Sequence, residues 1–242
     1  MRIELRPHSK PGFLIALCGA DGSGKSTLEE GLAAALAGRG YTVTRVYQPS
    51  DWWRKDPNIR RTMYGEGDGA MLPDSATALF SLADRYAQQS NVILPALSEG
   101  NIVISNRYIY TVFAFILARR SLDLGWLKTI AKDIVQPDAC ILLDNPPDVL
   151  IDRVVARDGS NPARFDQQPD FLEVFCRSFR TVAAANDFKI VSGAQHRARV
   201  LDECLVHVCD LLEPGGPGRK RLRLEAQASG RDRAVARGGT AA

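Results

Sequence analysis

A glycine-rich stretch near residue 20 constrains the fold of this chain more than any other feature. It reads Gly19-Ala20-Asp21-Gly22-Ser23-Gly24-Lys25-Ser26-Thr27 and follows the apolar run 13–18. The pattern Gly-x-x-x-x-Gly-Lys-Ser between a strand and a helix is typical of a loop that holds nucleotide phosphates. Glycines leave backbone N–H groups open to an anion, and the start of a helix adds a positive dipole end. The stretch therefore predicts a site for ATP and Mg²⁺, with Lys25 against the β- and γ-phosphates and Ser26 on the metal.

The rest of the chain alternates between helix-like and strand-like segments. Leucines repeat at helical spacing between residues 28 and 36, and the run 41–47 then alternates as a strand does. A strand, a helix and a strand in this order imply a right-handed crossover and a parallel sheet. Three more short apolar runs, at 102–105, 139–143 and 188–191, predict further strands. We therefore expect a three-layer α/β fold with a parallel sheet of about five strands and helices on both faces.

The segment between the second and third predicted strands has two parts. Residues 55–72 are polar and rich in glycine, and we expect a mobile connection there. After it, Asp74 or Ser75 is expected to cap a helix that continues toward Leu97 across Pro95.

Length and composition fit one domain followed by a basic tail. The chain has 242 residues, of which 45% are hydrophobic and 24% charged, as in ordinary globular proteins. We expect a domain over 1–213 and a disordered tail over 214–242, where seven basic residues face two acidic ones. The tail is expected to be solvated, and nucleic-acid binding is not favoured.

Five cysteines without metal-binding spacing predict buried thiols in a reducing compartment. The absence of a membrane-spanning run or a signal-peptide pattern predicts a cytoplasmic location and no membrane partner.

Several motifs together resemble the thymidylate kinase family of nucleoside monophosphate kinases. The phosphate loop has that family's acidic residue, Asp21, two positions after its first glycine. The other motifs follow in the family's order over about residues 13–212. Leu79-Phe80-Ser81-Leu82-Ala83-Asp84-Arg85 resembles the family's helix with an aromatic residue and an arginine, and Asn106-Arg107-Tyr108 resembles its Asp-Arg-Tyr. Residues 137–147, with Arg153 and Arg157, resemble the approach to its lid, and Arg164-Phe165-Asp166 resembles its Arg-Phe-Glu.

This resemblance implies an activity and a set of roles. The activity is transfer of the γ-phosphate of ATP to a nucleoside monophosphate, with dTMP the leading candidate, in a phosphate-loop kinase fold with a short lid at about 157–166. Both partners are anions, so catalysis needs cations on each side and no general base. The implied catalytic residues are Lys25, Arg107, Arg157 and Arg164; the implied acceptor ligands are Asp21, Gln48, Phe80, Arg85, Asn106 and Arg107; and Ser26 and Asp21 are implied for Mg²⁺.

Four features depart from the family pattern. Gln48-Pro49 stands where the family has Glu-Pro, and Asn106 replaces an aspartate, so two carboxylates are missing. Phe80 lies five residues before Arg85 where the family spacing is four, so Ser81 falls where a base-stacking ring is expected. Residues 111–117 are apolar where the family shows a polar pair that reads the base. The first two departures bear on the rate, and the last two on the base that is bound.

The sequence leaves two other functions open. One is a kinase for another small phosphorylated or hydroxylated acceptor, and the other is a nucleotide-binding protein with little catalysis, as the missing carboxylates at Gln48 and Asn106 would allow. Trp52 and Trp53 either cover the site or pack a loop. A nucleoside monophosphate is the expected substrate, and a homodimer is left open.

Overall fold

The structure is a computed structural model that describes residues 1–161 and 164–212. Within these ranges five strands form one sheet, in the order β2-β3-β1-β4-β5, and every neighbouring pair is parallel. The strands are β1 (Phe13–Cys18), β2 (Val43–Tyr47), β3 (Ile102–Asn106), β4 (Ala139–Asp144) and β5 (Lys189–Ser192). The expected parallel sheet of five strands is confirmed. The predicted tail at 214–242 lies outside the described residues, as do residues 162 and 163 of the predicted lid.

Helices precede, follow and connect these strands. Within the described ranges they are α1 (Lys25–Ala37), α2 (Asp51–Arg54), α3 (Pro57–Tyr64), α4 (Asp74–Gln88), α5 (Leu94–Ser98), α6 (Tyr110–Arg119), α7 (Leu124–Ala131), α8 (Pro147–Asp158), α9 (Pro169–Ala184) and α10 (Arg197–Leu212). A π-helical segment, Gln89–Ile93, joins α4 to α5, and a 3₁₀ turn, Phe165–Gln167, precedes α9. The expected helix toward Leu97 therefore continues past Pro95, which lies in the first turn of α5, where proline is tolerated.

The two faces of β1 belong to two different core clusters. Leu14, Ala16 and Cys18 pack with side chains of α4, α6 and α9. The alternate residues of the same strand, Phe13, Ile15 and Leu17, pack with α1 and α10. Because successive side chains of a strand point to opposite faces, helices cover the sheet on both sides. The three-layer α/β architecture is confirmed.

The stretch 55–72 contains a helix that the sequence interpretation missed. Asp56 caps α3 by accepting hydrogen bonds from the backbone N–H groups of Asn58 at 2.9 Å and Ile59 at 3.1 Å. Ile59 is fully buried and packs with Met63 against Trp53. The expectation of a mobile connection is therefore wrong for residues 57–64, because an Asp-Pro helix start and a small apolar cluster hold them in place.

Two further sequence expectations concern the whole chain. The five cysteines are free thiols, and four of them are buried, as expected. In the part of the chain that the structure describes, no helix combines the length and the apolar character needed to cross a membrane.

Candidate active site at the carboxyl edge of the sheet

The glycine-rich loop can adopt its observed path only with glycine at its turning points. Gly19, Gly22 and Gly24 all have positive φ, at 145°, 79° and 95°. A Cβ at Gly19 would lie 2.8 Å from the carbonyl oxygen of Leu143, and one at Gly22 would lie 2.7 Å from that of Leu150. Both contacts are too close for a side chain. The loop is therefore pressed against the end of β4 and the first turns of α8, with its backbone exposed where α1 begins.

Lys25 lies across this loop. Its Nζ donates hydrogen bonds to the carbonyl oxygen of Ala20 at 2.6 Å and to Oγ of Ser23 at 3.2 Å. Burial, with the nearby charge of Arg107, lowers the pKa of Lys25 to about 7. A phosphate at the loop would favour the charged amine and raise that pKa again. At neutral pH an anion bound at the loop would therefore increase the charged fraction of the amine.

Asp21 and Arg107 form a mostly buried ion pair at the mouth of the loop. Arg107 directly follows β3 with a positive φ of 70°, and its backbone N–H donates to the carbonyl oxygen of Leu17 at 2.8 Å. Burial alone would raise the pKa of Asp21, but the charges of Arg107 and Lys25 outweigh it and hold that pKa below its usual range. The structure thus brings Asp21, Lys25 and Arg107 together, all three predicted from the sequence.

Arg85 is a buried cation without a carboxylate partner among the described residues. Its side chain on α4 is 2% exposed and donates to the Ser81 carbonyl oxygen at 2.9 Å, to the Ser81 hydroxyl, and to the Tyr108 carbonyl oxygen at 3.5 Å. Its Nε has no hydrogen-bond partner. The neighbouring Asp84 accepts instead from the N–H of Ser50 at 2.8 Å. Burial lowers the pKa of Arg85 to about 10, so the guanidinium stays charged at neutral pH.

A pocket lies beside this group of charges. Two kinds of residue line it. The charged ones include Asp21, Arg54, Arg85 and Arg107, and the apolar ones include Trp53, Met63, Phe115, Phe165 and Phe175. A lining that combines apolar rings with a few charged groups is typical of a small-molecule site. The cavity therefore reaches the phosphate loop at Asp21 and is otherwise largely apolar.

Arg54 is a cavity residue that the sequence interpretation missed. Its guanidinium lies 4.0 Å from the ring centroid of Tyr47 and donates to the carbonyl oxygens of Pro49 at 2.6 Å and Gln48 at 3.4 Å. Burial is the main cause of the lowered pKa of Arg54. The signal in the sequence was a cation just after the second strand, at the edge of the sheet where ligands of such folds bind. Gln48 itself is buried and is not among the residues that line the cavity.

The aromatic residues divide differently from the prediction. Phe80 packs edge-to-face against Trp52, with ring centroids 4.9 Å apart, and is not among the lining residues of the cavity. Ser81, the next residue of α4, does line it. Trp53 also lines it and is 6% exposed, whereas Trp52 is 58% exposed. The buried tryptophan therefore contributes to the pocket, and the exposed one packs on the outside of α4.

The two lid arginines are paired with carboxylates of their own segment. Arg157 makes two hydrogen bonds to Asp158, at 2.6 and 2.7 Å, and these raise its pKa. Arg164 is bound to Asp166 at 2.7 Å and to Asp158 at 3.0 Å, and the bond to Asp166 is the main cause of its raised pKa. The charge of Arg157 also helps to lower the pKa of Asp21. The predicted lid cations therefore lie within electrostatic reach of the loop.

The residues near Ser26 fit Mg²⁺ brought in by a nucleotide. In the described ranges, no group of three or more His, Cys, Asp and Glu side chains could hold a metal ion. A metal here would therefore need phosphate oxygens besides the exposed Ser26 hydroxyl. Nδ2 of Asn106 lies 3.3 Å from that hydroxyl, and the Oδ1 of Asn106 is buried without a partner in the described part of the chain. An acceptor of this kind suits a water of the metal's coordination shell.

The fold and this site together define a class of protein. A strand, a glycine-rich loop and a helix present amides and a lysine to a phosphate chain, and arginines surround the cavity next to them. Such an arrangement is that of a phosphate-loop phosphotransferase.

Comparison with known proteins narrows the class to a family. The model of the thymidylate kinase family matches residues 17–203. A probable thymidylate kinase of Pyrococcus horikoshii is 40% identical over 148 residues, which cover 60% of this chain and 71% of that protein. One from Thermococcus kodakarensis is 38% identical, with 60% and 72% covered. A thymidylate kinase of Xanthomonas oryzae is 34% identical over 175 residues, with 72% and 71% covered. The chain belongs to the thymidylate kinase family and is a phosphotransferase.

Proposed function

We propose that this chain transfers the γ-phosphate of ATP, bound with Mg²⁺, to dTMP. The observation that carries the proposal is Arg85, which is buried beside the phosphate loop without a carboxylate partner in the described residues. The charge of the neighbouring Asp84 offsets part of the cost of burying this cation, but no carboxylate of the described residues is bound to it. The phosphate of an acceptor nucleotide would supply a bound anion, and the names of the relatives support dTMP as the acceptor.

The unpaired polar atoms of the pocket support the choice of base. Nε1 of Trp53 and Oγ1 of Thr111 are buried without hydrogen-bond partners among the residues that the structure describes, and both residues line the cavity. The indole N–H can only donate, so it calls for an acceptor. Thymine offers two carbonyl oxygens, whereas an amino group in their place would set a donor against a donor. The apolar rings of Phe115 and Phe175 suit the thymine methyl group.

The charges of the site suit a transfer between two phosphates. Lys25 and the N–H groups of the loop would hold the donor phosphates, and Ser26 would hold the metal, which neutralises charge on the β- and γ-phosphates when bound. Arg85 and Arg107 would clamp the acceptor. Since the acceptor phosphate is already an anion, no residue has to remove a proton from it. Positioning and charge neutralisation would then supply the catalysis.

The lid arginines would have to change partners during this reaction. Arg157 and Arg164 share Asp158 as a partner in the structure. We propose that the transferring phosphoryl group replaces that carboxylate when the nucleotides are bound. Because arginine binds phosphate and carboxylate through the same planar donor pairs, the exchange conserves hydrogen bonds.

A panel assay tests the acceptor. ADP release is measured with ATP, Mg²⁺ and each of dTMP, dUMP, dCMP, dAMP and dGMP. We expect dTMP to give the largest kcat/KM, with dUMP lower because it lacks the methyl group. ADP formed with another monophosphate and none with dTMP would contradict the proposal. The two other functions considered from the sequence, another acceptor and a binder with little catalysis, are not favoured by membership of this family.

We also propose that the kinase domain ends near residue 213, that the basic tail after it is solvated, and that the protein acts in the cytoplasm, either as a monomer or as a homodimer.

A further inference from the structure

A buried carboxylate without a role in the reaction above lies one helical turn from Ser26. Glu29 of α1 is 4% exposed. Its Oε2 accepts a hydrogen bond from Nδ2 of Asn106 at 2.7 Å, and its Oε1 accepts one from Nε of Arg45 at 2.8 Å. The same Asn106 nitrogen lies 3.3 Å from Oγ of Ser26. A continuous chain of contacts therefore runs from Glu29 through Asn106 to the hydroxyl proposed to hold Mg²⁺.

A salt bridge between α1 and β2 does not by itself explain a buried acid here. Arg45 lies at the rim with its side chain 47% exposed. The adjacent Glu30 is 67% exposed and also lies 3.8 Å from Arg45, so an exposed acid was available for that bridge. Burying a carboxylate costs free energy unless its oxygens are satisfied. Glu29 is instead turned inward, where its second oxygen binds the Asn106 amide.

That contact fixes which way the Asn106 amide faces. A carboxylate can only accept hydrogen bonds, so the NH₂ group of Asn106 must face Glu29. The amide oxygen, Oδ1, is then left as an acceptor, and it is buried without a partner in the described residues. Both atoms belong to one amide, whose Nδ2 lies 3.3 Å from Oγ of Ser26.

We propose that Glu29 is a positioning residue for the Mg²⁺–ATP site. It orients Asn106 so that Oδ1 accepts from a metal-bound water, and it places a negative charge behind that amide. This inference rests on the part of the proposed function in which the chain binds ATP with Mg²⁺, and does not depend on dTMP as the acceptor. The acid of Glu29 and the amide of Asn106 would then act as a pair. Glu29 would supply the negative charge that the family's aspartate has at the position of Asn106.

The pairing predicts how substitutions combine. Asn106→Asp alone would set two carboxylates at hydrogen-bonding distance, and two such anions cannot both ionise without cost. Combining it with Glu29→Gln would restore one acid and one amide, with the hydrogen bond reversed and a free acceptor again at position 106. The single change should therefore be harmful and the double change tolerated.

Calorimetry of ATP binding tests this pairing. ATP affinity is measured with Mg²⁺ and with EDTA, and the ratio gives the enhancement by the metal. We expect Glu29→Gln and Asn106→Asp each to lower the enhancement about tenfold, as loss of an outer-sphere partner does, with metal-free affinity unchanged. The double variant should recover most of it. Glu30→Gln is the matched control and should bind as the wild type does.

Arg45→Gln separates the proposed role from a merely structural one. It removes the salt bridge and keeps the contact between Glu29 and Asn106, so the melting temperature should fall while the enhancement by Mg²⁺ stays. An equal loss of enhancement in Arg45→Gln and Glu29→Gln would overturn the proposal, as would a wild-type enhancement in Glu29→Gln. No acceptor is present in this experiment, so a failed dTMP assay would overturn the proposed function and leave this inference standing.

Discussion

The proposed donor and acceptor halves of the site are built in different ways. The donor half is one continuous stretch, residues 19–27, and its lysine is bound by two residues of the same loop. The acceptor half gathers residues from α2, α3, α4, α6, α9 and the end of β3. The difference teaches that a local motif can specify one half, whereas the other depends on how distant segments pack.

The two halves also differ in how they hold charge. Lys25 has a pKa of about 7, so the donor half is only partly charged at neutral pH until phosphate binds. Arg54, Arg85 and Arg107 keep their charge at any pH the protein meets. The acceptor half is therefore charged in advance, and the donor half becomes charged with its ligand. The following experiments would break or sharpen this contrast.

The largest expected effect is that of Lys25→Ala. It removes the ammonium that would lie against the transferring phosphate, and removal of one such group costs about 10³-fold in kcat. Steady-state ADP release with saturating ATP and dTMP measures it. Lys55→Ala is the control, because that side chain is 75% exposed. Wild-type activity and ATP affinity in Lys25→Ala would contradict the role of the whole donor half.

Arg85→Gln should affect the acceptor half alone. Glutamine keeps hydrogen-bonding capacity but leaves the acceptor phosphate without its buried cation, so we expect KM for dTMP to rise about 10²-fold. ATP affinity, measured by calorimetry, should not change. Arg177→Gln serves as control, because Arg177 is 66% exposed and bound to Glu173. A loss of ATP affinity equal to the loss for dTMP would remove the distinction between the halves.

The same contrast explains what the sequence could predict. The order of strands and helices follows from hydrophobic period, and Asp21, Lys25 and Arg107 come together because their segments end at one edge of a parallel sheet. Such placements need only the motif and the topology, so they could be predicted before any contact was known.

The acceptor half shows where that reasoning stops. Helices have 3.6 residues per turn, so adjacent residues of α4 point about 100° apart. Ser81 faces the cavity while Phe80 packs on Trp52, a difference that the motif spacing alone could only suggest. The sequence left the role of Trp53 open because its position depends on α3, whose cap at Asp56 lies in a stretch with few apolar residues.

Thr111→Val tests the polar part of the pocket and should have a moderate effect. Valine keeps the shape of threonine but removes the unpartnered hydroxyl. If the hydroxyl binds the base, kcat/KM for dTMP falls about tenfold, the cost of one hydrogen bond to a buried polar group. Thr129→Val is the matched control, because Thr129 bonds its own helix at the Gly125 carbonyl oxygen, 2.9 Å away. An unchanged or higher kcat/KM in Thr111→Val would assign the base contact elsewhere.

The smallest expected effect is a pH dependence confined to the donor half. Burial holds the pKa of Lys25 at about 7, against an ordinary value of 10.5. Between these two pH values the unfolded chain therefore binds more protons than the folded protein does. The contribution of Lys25 to the stability of the free protein therefore rises with pH from about 7 to 10.5. If the ATP phosphates bind the charged form of Lys25, the amine takes up a proton when ATP binds. From pH 7.5 to 8.5, where the terminal phosphate is already ionised, ATP affinity should fall about eightfold. Calorimetry in buffers of different ionisation enthalpy measures the proton uptake.

Binding of dTMP supplies the internal control for that experiment. The guanidinium groups proposed to bind it remain charged, so its affinity should stay constant over the same pH range, with no proton taken up. A parallel decline of both affinities would point to a change common to the two halves and would refute the assignment of the effect to Lys25. A decline for ATP alone would assign the pH dependence to the buried amine of Lys25 and would separate the pH behaviour of the two halves.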